Sequence, residues 1–343
     1  MRSRDDAFSM KIDDPDLIDN SPNVTLINLN EKLLILFKEH SVYKILTSDC
    51  IDPERTHLET SNTYEKISSY GASSPLFARI FLQSKEMFDL AFHLNPDKEH
   101  LLEIIWEANL LLISCANYRD EIAGQVNNVA MQCDALIEQH KLSGSIPPLP
   151  KVKNLEINAK AFLNTGKLFL TQCFKIISIF TKLPIKHNNE THFNIHIDWL
   201  ANNRPELIGL TQSLKSDLEW IRTLAECRNA IEHSRAGLSI TLNNFKLLPG
   251  NKFTEPTWSY DLTSKIQVKR ESSIVTDLCI YIDNMLGMLE EIILHCISAE
   301  LSIEKKFQIY KIDDSKINPQ CPIAYQVFFD KTFLAPMSPQ EEK

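Results

Sequence analysis

Arg228, Asn229 and His233 form the densest grouping of potentially chemical residues in this 343-residue chain, within the string Arg228-Asn229-Ala230-Ile231-Glu232-His233. A guanidinium does not shed its charge in a protein, so where the surrounding pattern calls for Leu it needs an anion or a set of acceptors. His is the side chain that titrates near neutrality, and Asn supplies an orienting amide. Residues four apart on a helix share a face, which sets Asn229 and His233 together beside Arg228. Such a set can handle a small anion, phosphate being the natural one. The same residues also permit a plainer arrangement, with Arg228 paired to Glu226 or Glu232 and His233 capping the helix end. The combination occurs once in the chain.

That six-residue string resembles the signature of the HEPN superfamily (higher eukaryotes and prokaryotes nucleotide-binding): Arg, a polar residue that is often Asn, then His, near the end of a long helix in an α-helical bundle. The resemblance covers about Leu155 to Ser302 and rests on those six residues in their helical context. It implies a metal-independent endoribonuclease that needs no cofactor and whose nucleophile is the 2′-hydroxyl of the RNA. His233 would take the proton from that hydroxyl or give one to the leaving 5′-oxygen, Arg228 would neutralise the phosphorane, and Asn229 would hold the phosphate or the imidazole. One helix carries one Arg and one His, so the resemblance also implies a homodimer with two motifs facing each other. Two alternatives stand beside it: a non-catalytic RNA-binding or protein-interaction module, and a regulatory subunit whose acidic N-terminal half meets a basic protein partner.

Lys265, Lys269 and Arg270 are the basic cluster nearest in sequence to the motif and are candidates for substrate binding, although a solvated turn accounts for them slightly better. His187, Glu190, His192, His196 and Asp198 gather the most His of any stretch, but their spacing matches no established metal motif. The alternation of Phe193, Ile195 and Ile197 there predicts a short strand with His192, Asn194 and His196 on its other face. Eight Cys are scattered without a Cys-x-x-Cys pair, which fits isolated reduced thiols rather than a disulfide framework or zinc site.

The element that must position the motif is a helix from Leu207 to Arg235. Pro205 suits its first turn, Gly237 its stop, and Leu207, Leu210, Leu214, Leu218, Ile221 and Ala225 form an apolar stripe at spacings of three and four. A helix from Leu155 to Leu183 pairs antiparallel with it, and another from Ser273 to Ser302 completes a bundle. Between them Pro249-Gly250-Asn251 marks a hairpin. Upstream, a helix runs from Asn30 through Leu46, a second opens at Pro75 and ends near His93, a residue read as its C-terminal cap, and about Lys98 to Lys141 forms either one long helix or two broken near Asn117 or Gly124.

The expected architecture is therefore mainly α: a flexible arm (1–28), an N-terminal helical domain (29–141), a Pro-rich linker (142–154), a HEPN-type helical bundle (155–302) with a small β-hairpin excursion, and a C-terminal tail (303–343) with one or two strands. Residues 1–150 carry 13 Lys and Arg against 23 Asp and Glu, and the remainder 23 against 22. Affinity for RNA comes mainly from cations that release counterions, so any RNA contact belongs to the C-terminal half. With no long apolar run and no signal-like start, a cytoplasmic protein that makes no membrane contact is expected.

Overall fold

The computed structural model describes residues 21–29, 33–57, 59–91, 98–184, 193–304 and 307–329. His93, His187, Glu190 and His192 lie outside them, as do most of the expected arm and the end of the tail. Among the described residues helix accounts for 56% and strand for 20%, in four β-sheets. The mainly-α expectation is thereby corrected to a mixed fold. The chain divides into two compact units, one made of residues 1–109 with 293–343 and the other of residues 110–292.

The correction is largest at the start of the first unit, where the expected helical domain opens instead on a sheet. Strands β1 (Asn23–Leu29), β2 (Leu33–Lys38), β3 (Val42–Leu46) and β4 (Thr63–Ser68) form an antiparallel meander in the order β1-β2-β3-β4, with the single turn α1 (Ser48–Ile51) between the last two. A short apolar run such as Leu33–Phe37 reads alike as buried helix or buried strand. Two features decide for strand: β-branched and aromatic residues (Ile35, Phe37, Val42, Tyr43, Ile45) suit a pleated surface, and a tight turn returns the chain, with Lys38 N–H donating to Ser41 O at 2.9 Å. Phe37 then packs edge-on to Phe77 (5.4 Å) and Trp106 (6.1 Å), both beyond the sheet in sequence.

Phe77 belongs to the short helix α2 (Pro75–Phe77), which continues through a π-helical turn at Ala78–Leu82 into α3 (Gln83–Ala91). The 43-residue helix α4 (Lys98–His140) is unbroken at Gly124 and carries Trp106. Among the described residues it is the one helix long and apolar enough to cross a membrane, and most of that stretch is buried inside the protein. Two further strands of this unit, β10 (Phe307–Lys311) and β11 (Tyr325–Phe329), pair antiparallel. Gln83 ties β11 to α3, its Oε1 accepting the N–H groups of Ala324 and Tyr325, each at 2.8 Å.

In the second unit the 3.6-residue periodicity does specify helices. α5 (Leu155–Thr181), α7 (Ile208–Glu232) and α8 (Ile274–Glu304) lie close to their expected bounds. The predicted strand at Phe193 is overturned: α6 (Phe193–Asn203) is a helix whose buried Phe193, His196, Ile197 and Leu200 recur at three and four residues, while Ile195 is exposed. Three alternating residues were too short a run to discriminate.

The three bundle helices meet at Gly166 of α5. A Cβ there would stand 2.9 Å from Met285 Cε and 3.1 Å from Leu224 Cδ1, so the missing side chain is what lets α7 and α8 close on this point. After α7 the expected hairpin forms as β6 (Lys246–Leu248) and β7 (Lys252–Thr254), with Gly250 and Asn251 both at positive φ. It is the smaller part of the β structure here. β5 (Ser239–Asn243), β8 (Thr257–Asp261) and β9 (Lys269–Ser273) make a separate three-stranded antiparallel sheet. The linker is pinned to the connection after β5 by Asn244, whose Oδ1 accepts from Val152 N–H at 3.0 Å and whose Nδ2 donates to Val152 O at 3.2 Å.

Candidate functional site

Arg228, Asn229 and His233 occupy the last turn of α7 and its C-cap. His233 leaves the helical conformation (φ −132°, ψ 48°) while its N–H still donates to Asn229 O at 2.8 Å. The stripe that buries α7 includes Leu210, Leu214, Ile221 and Leu224 and reaches its edge at Arg228, whose side chain is 25% exposed. The guanidinium lies on the flank of α7 that faces α5. Its Nη1 stands 2.7 Å from Glu232 Oε2 and 3.4 Å from Asn229 Oδ1, and its Nε donates to Asn164 Oδ1 on α5 at 3.2 Å. Asn229 Nδ2 in turn donates to Glu226 Oε2 at 3.3 Å.

His233 is the most open member, its side chain 71% exposed, with Nε2 3.9 Å from Glu232 Oε2. Glu232 thus stands between the cation and the imidazole and pairs with His233 when that ring is protonated. Lys167, on α5, lies in the same electrostatic neighbourhood. Partial burial lowers its ammonium from the usual Lys range, and the Arg228 charge adds to the effect against the opposing pull of Glu232 and Glu226. The grouping therefore holds two cations, two carboxylates, two amides and an exposed imidazole at the margin between α5 and the end of α7. An arriving phosphodiester would compete with Glu232 for the Nη1 edge of Arg228.

Asn164 and Lys167 were missed by sequence reasoning. Nothing in their local spacing separates them from other polar residues of an amphipathic helix, and only the packing of α5 on α7 brings them to the motif. Glu232 was legible, since it stands four residues after Arg228.

The basic cluster is not gathered at the motif. Lys265 is exposed in the turn after β8, Lys269 pairs with Asp261 at 3.3 Å, and Arg270 reaches Asp277 at 3.3 Å. Among the described residues no hydrogen bond or ion pair joins any of the three to Arg228, Asn229 or His233. Arg270 instead borders a cavity of about 260 Å³ lined by Ser216, Glu219, Trp220 and Thr223 of α7, Tyr260 of β8 and Asp277 and Tyr281 of α8. His196 is buried with its ring edge-on to Phe174 at 4.7 Å. Among the described residues no group of three His, Cys, Asp or Glu is placed to hold a metal ion.

The cysteines Cys115, Cys133, Cys173, Cys227 and Cys296 are buried and unbridged. Burial drives the Cys227 thiol well above its ordinary range, reinforced by Asp277 and Glu226, which makes it a packing residue rather than a nucleophile. Comparison with protein-family models, with curated proteins and with solved structures finds no match to this chain.

Proposed function

We propose that the protein is a metal-independent endoribonuclease that cleaves RNA through attack of the 2′-hydroxyl on the adjacent phosphorus. The observation that carries this reading is the Arg228 guanidinium, mostly buried but open at one edge, held by Asn164, Asn229 and Glu232 beside the open His233 ring. Arg228 is fixed in direction by partners on two helices, so it meets developing phosphorane charge with little reorganisation. The exposed imidazole can reach a proton on a bound strand, as general base toward the 2′-hydroxyl or general acid toward the leaving 5′-oxygen. Asn229 orients the guanidinium and can turn its amide to a phosphate oxygen. Lys167 adds positive potential beside them. Because the nucleophile belongs to ribose, DNA is not a substrate.

A single chain brings one His233 to this place, whereas acid and base roles lie on opposite sides of the phosphorus. A homodimer with the ends of two α7 helices facing one another supplies the second imidazole. The α5 face next to Arg228 leaves Ile157 and Leu168 exposed, apolar surface that a second copy can cover.

A second reading, a non-catalytic RNA-binding or protein-interaction module, is favoured by the ion pair that closes Arg228 onto Glu232. One assay separates the two. Purified protein is incubated in EDTA with labelled cellular RNA, beside Arg228→Ala and His233→Ala. Cleavage by wild type to 2′,3′-cyclic phosphate ends, lost in both variants, supports catalysis. Retention of RNA in a binding assay without cleavage supports the module.

A further inference from the structure

The 260 Å³ cavity lies on another flank of α7, since Ser216, Trp220 and Thr223 recur along one face and Arg228 falls about 140° around the helix from Thr223. Its volume is just under the roughly 300–1,000 Å³ of small-molecule sites, enough for one fused ring system. Trp220, Tyr260 and Tyr281 supply aromatic walls. Trp220 and Tyr281 are 6.4 Å apart between ring centroids, and Tyr281 is braced from behind by Phe162 at 6.2 Å and Trp258 at 6.5 Å.

The polar groups differ in what they have left to offer. Asp277, its side chain 8% exposed, already accepts from Trp258 Nε1 at 2.7 Å, from Ser272 Oγ and from Arg270 Nη2 at 3.3 Å. Arg270 uses one donor of its fork in that long contact, and its side chain is 56% exposed. Glu219 is exposed and forms no ion pair among the described residues. The free functions of the cavity thus include a donor fork, a carboxylate, the Trp220 N–H and aromatic faces, with Arg270 and Glu219 of opposite charge.

A neutral planar ligand with acceptors on one edge and N–H donors on another matches this set. Guanine is such a ligand: O6 and N7 accept from an Arg fork, while N1–H and the N2 amino group donate to a carboxylate. Adenine places its N6 donor where the Arg donors point, and pyrimidines cover less of the aromatic wall. We propose that this cavity binds a guanine base, with Arg270 and Glu219 reading its edges and Trp220 and Tyr281 providing the stacking surface. The base belongs either to a free nucleoside or to single-stranded RNA.

The test is calorimetric titration of the full chain with guanosine, adenosine, cytidine and uridine, and with an oligoadenylate carrying one central G beside its all-A counterpart. The expected result is saturable binding of a guanine probe, at least ~10-fold tighter than its adenine counterpart. Glu219→Gln, a substitution of an exposed residue, should weaken it by at least ~10-fold with the circular dichroism spectrum unchanged. If guanosine saturates, the site takes free nucleosides, and if only the G-containing oligonucleotide does, it reads RNA. His233→Ala should bind like wild type, because the cavity stands apart from the cleavage chemistry, so loss of one function does not imply loss of the other. Equal affinity for guanine and adenine probes, unchanged affinity in Glu219→Gln, or no saturable binding of either guanine probe overturns the assignment.

Discussion

Glu232 Oε2 stands 2.7 Å from Arg228 Nη1, one helical turn away, and so occupies the edge of the guanidinium that a phosphate would need. Both side chains are partly open to solvent, and ion pairs of this kind contribute only about 0–1 kcal/mol. Replacing Glu232 by Gln should therefore shift the thermal midpoint little. It should raise affinity for inorganic phosphate several-fold by releasing Arg228. Calorimetric titration reads the affinity, and an unchanged or weaker constant would show that Glu232 does not compete at this edge.

Arg228→Lys keeps the charge and loses the fork. An ammonium cannot span Asn164 Oδ1, Asn229 Oδ1 and Glu232 Oε2 together, so the direction of the cation toward bound phosphate is no longer fixed. Under the proposed ribonuclease function, single-turnover cleavage of RNA should fall on the order of 10²-fold while the melting temperature stays close to wild type. Full activity in the Lys variant would mean that charge alone is required.

Two glycines should respond in opposite directions to Ala. A Cβ on Gly71 would stand 2.4 Å from both Glu39 O and Ser41 N, backbone atoms of the β2–β3 turn that cannot move aside without losing the pairing of that hairpin. Gly71→Ala should cost about 3 kcal/mol or more, a fall in Tm on the order of 5–10 °C. Gly124, mid-way along α4, has open space around its Cβ position, and Gly124→Ala should stabilise by up to about 1 kcal/mol. Differential scanning calorimetry of the pair checks both signs.

Asp217 should give stability a measurable slope with pH. Burial raises its carboxyl above the ordinary Asp range, partly offset by Trp220 and reinforced by Glu291. The folded state then holds the proton more tightly than the unfolded chain, so this group costs nothing at pH below its unfolded value, opposes folding increasingly as pH rises from there to its folded value, and opposes it by a constant amount above that. Asp217→Asn should raise Tm by ~1–3 °C at pH 7 and leave it unchanged near pH 3. Melting curves across that range that run parallel for the two proteins would contradict the assignment.

Three helices of the second unit, α5, α7 and α8, could be read from the chain because their information is local. Leu210, Leu214, Ile221 and Ala225 repeat at helical spacing, Pro205 and Gly237 punctuate α7, and the bounds of α5 and α8 follow from the same rule. The pairing of Arg228 with Glu232 is local too, and so is the turn at Gly250-Asn251.

What tertiary structure alone decided depends on residues far apart in sequence. Leu33–Leu46 is apolar enough for helix or strand, and the choice fell to pairing with Asn23–Leu29 and to packing of Phe37 against Phe77 and Trp106. Asn164 meets Arg228 across 64 residues because Gly166 lets α5 and α7 approach closely. Arg270 turned to Asp277 rather than to the motif because strand β9 carries it to the start of α8, where a buried carboxylate shared by Trp258 and Ser272 has room for one more donor. Periodicity states which face of an element is buried, but a side chain's partner is set by which elements come to share that burial, and that is a property of the whole folded chain.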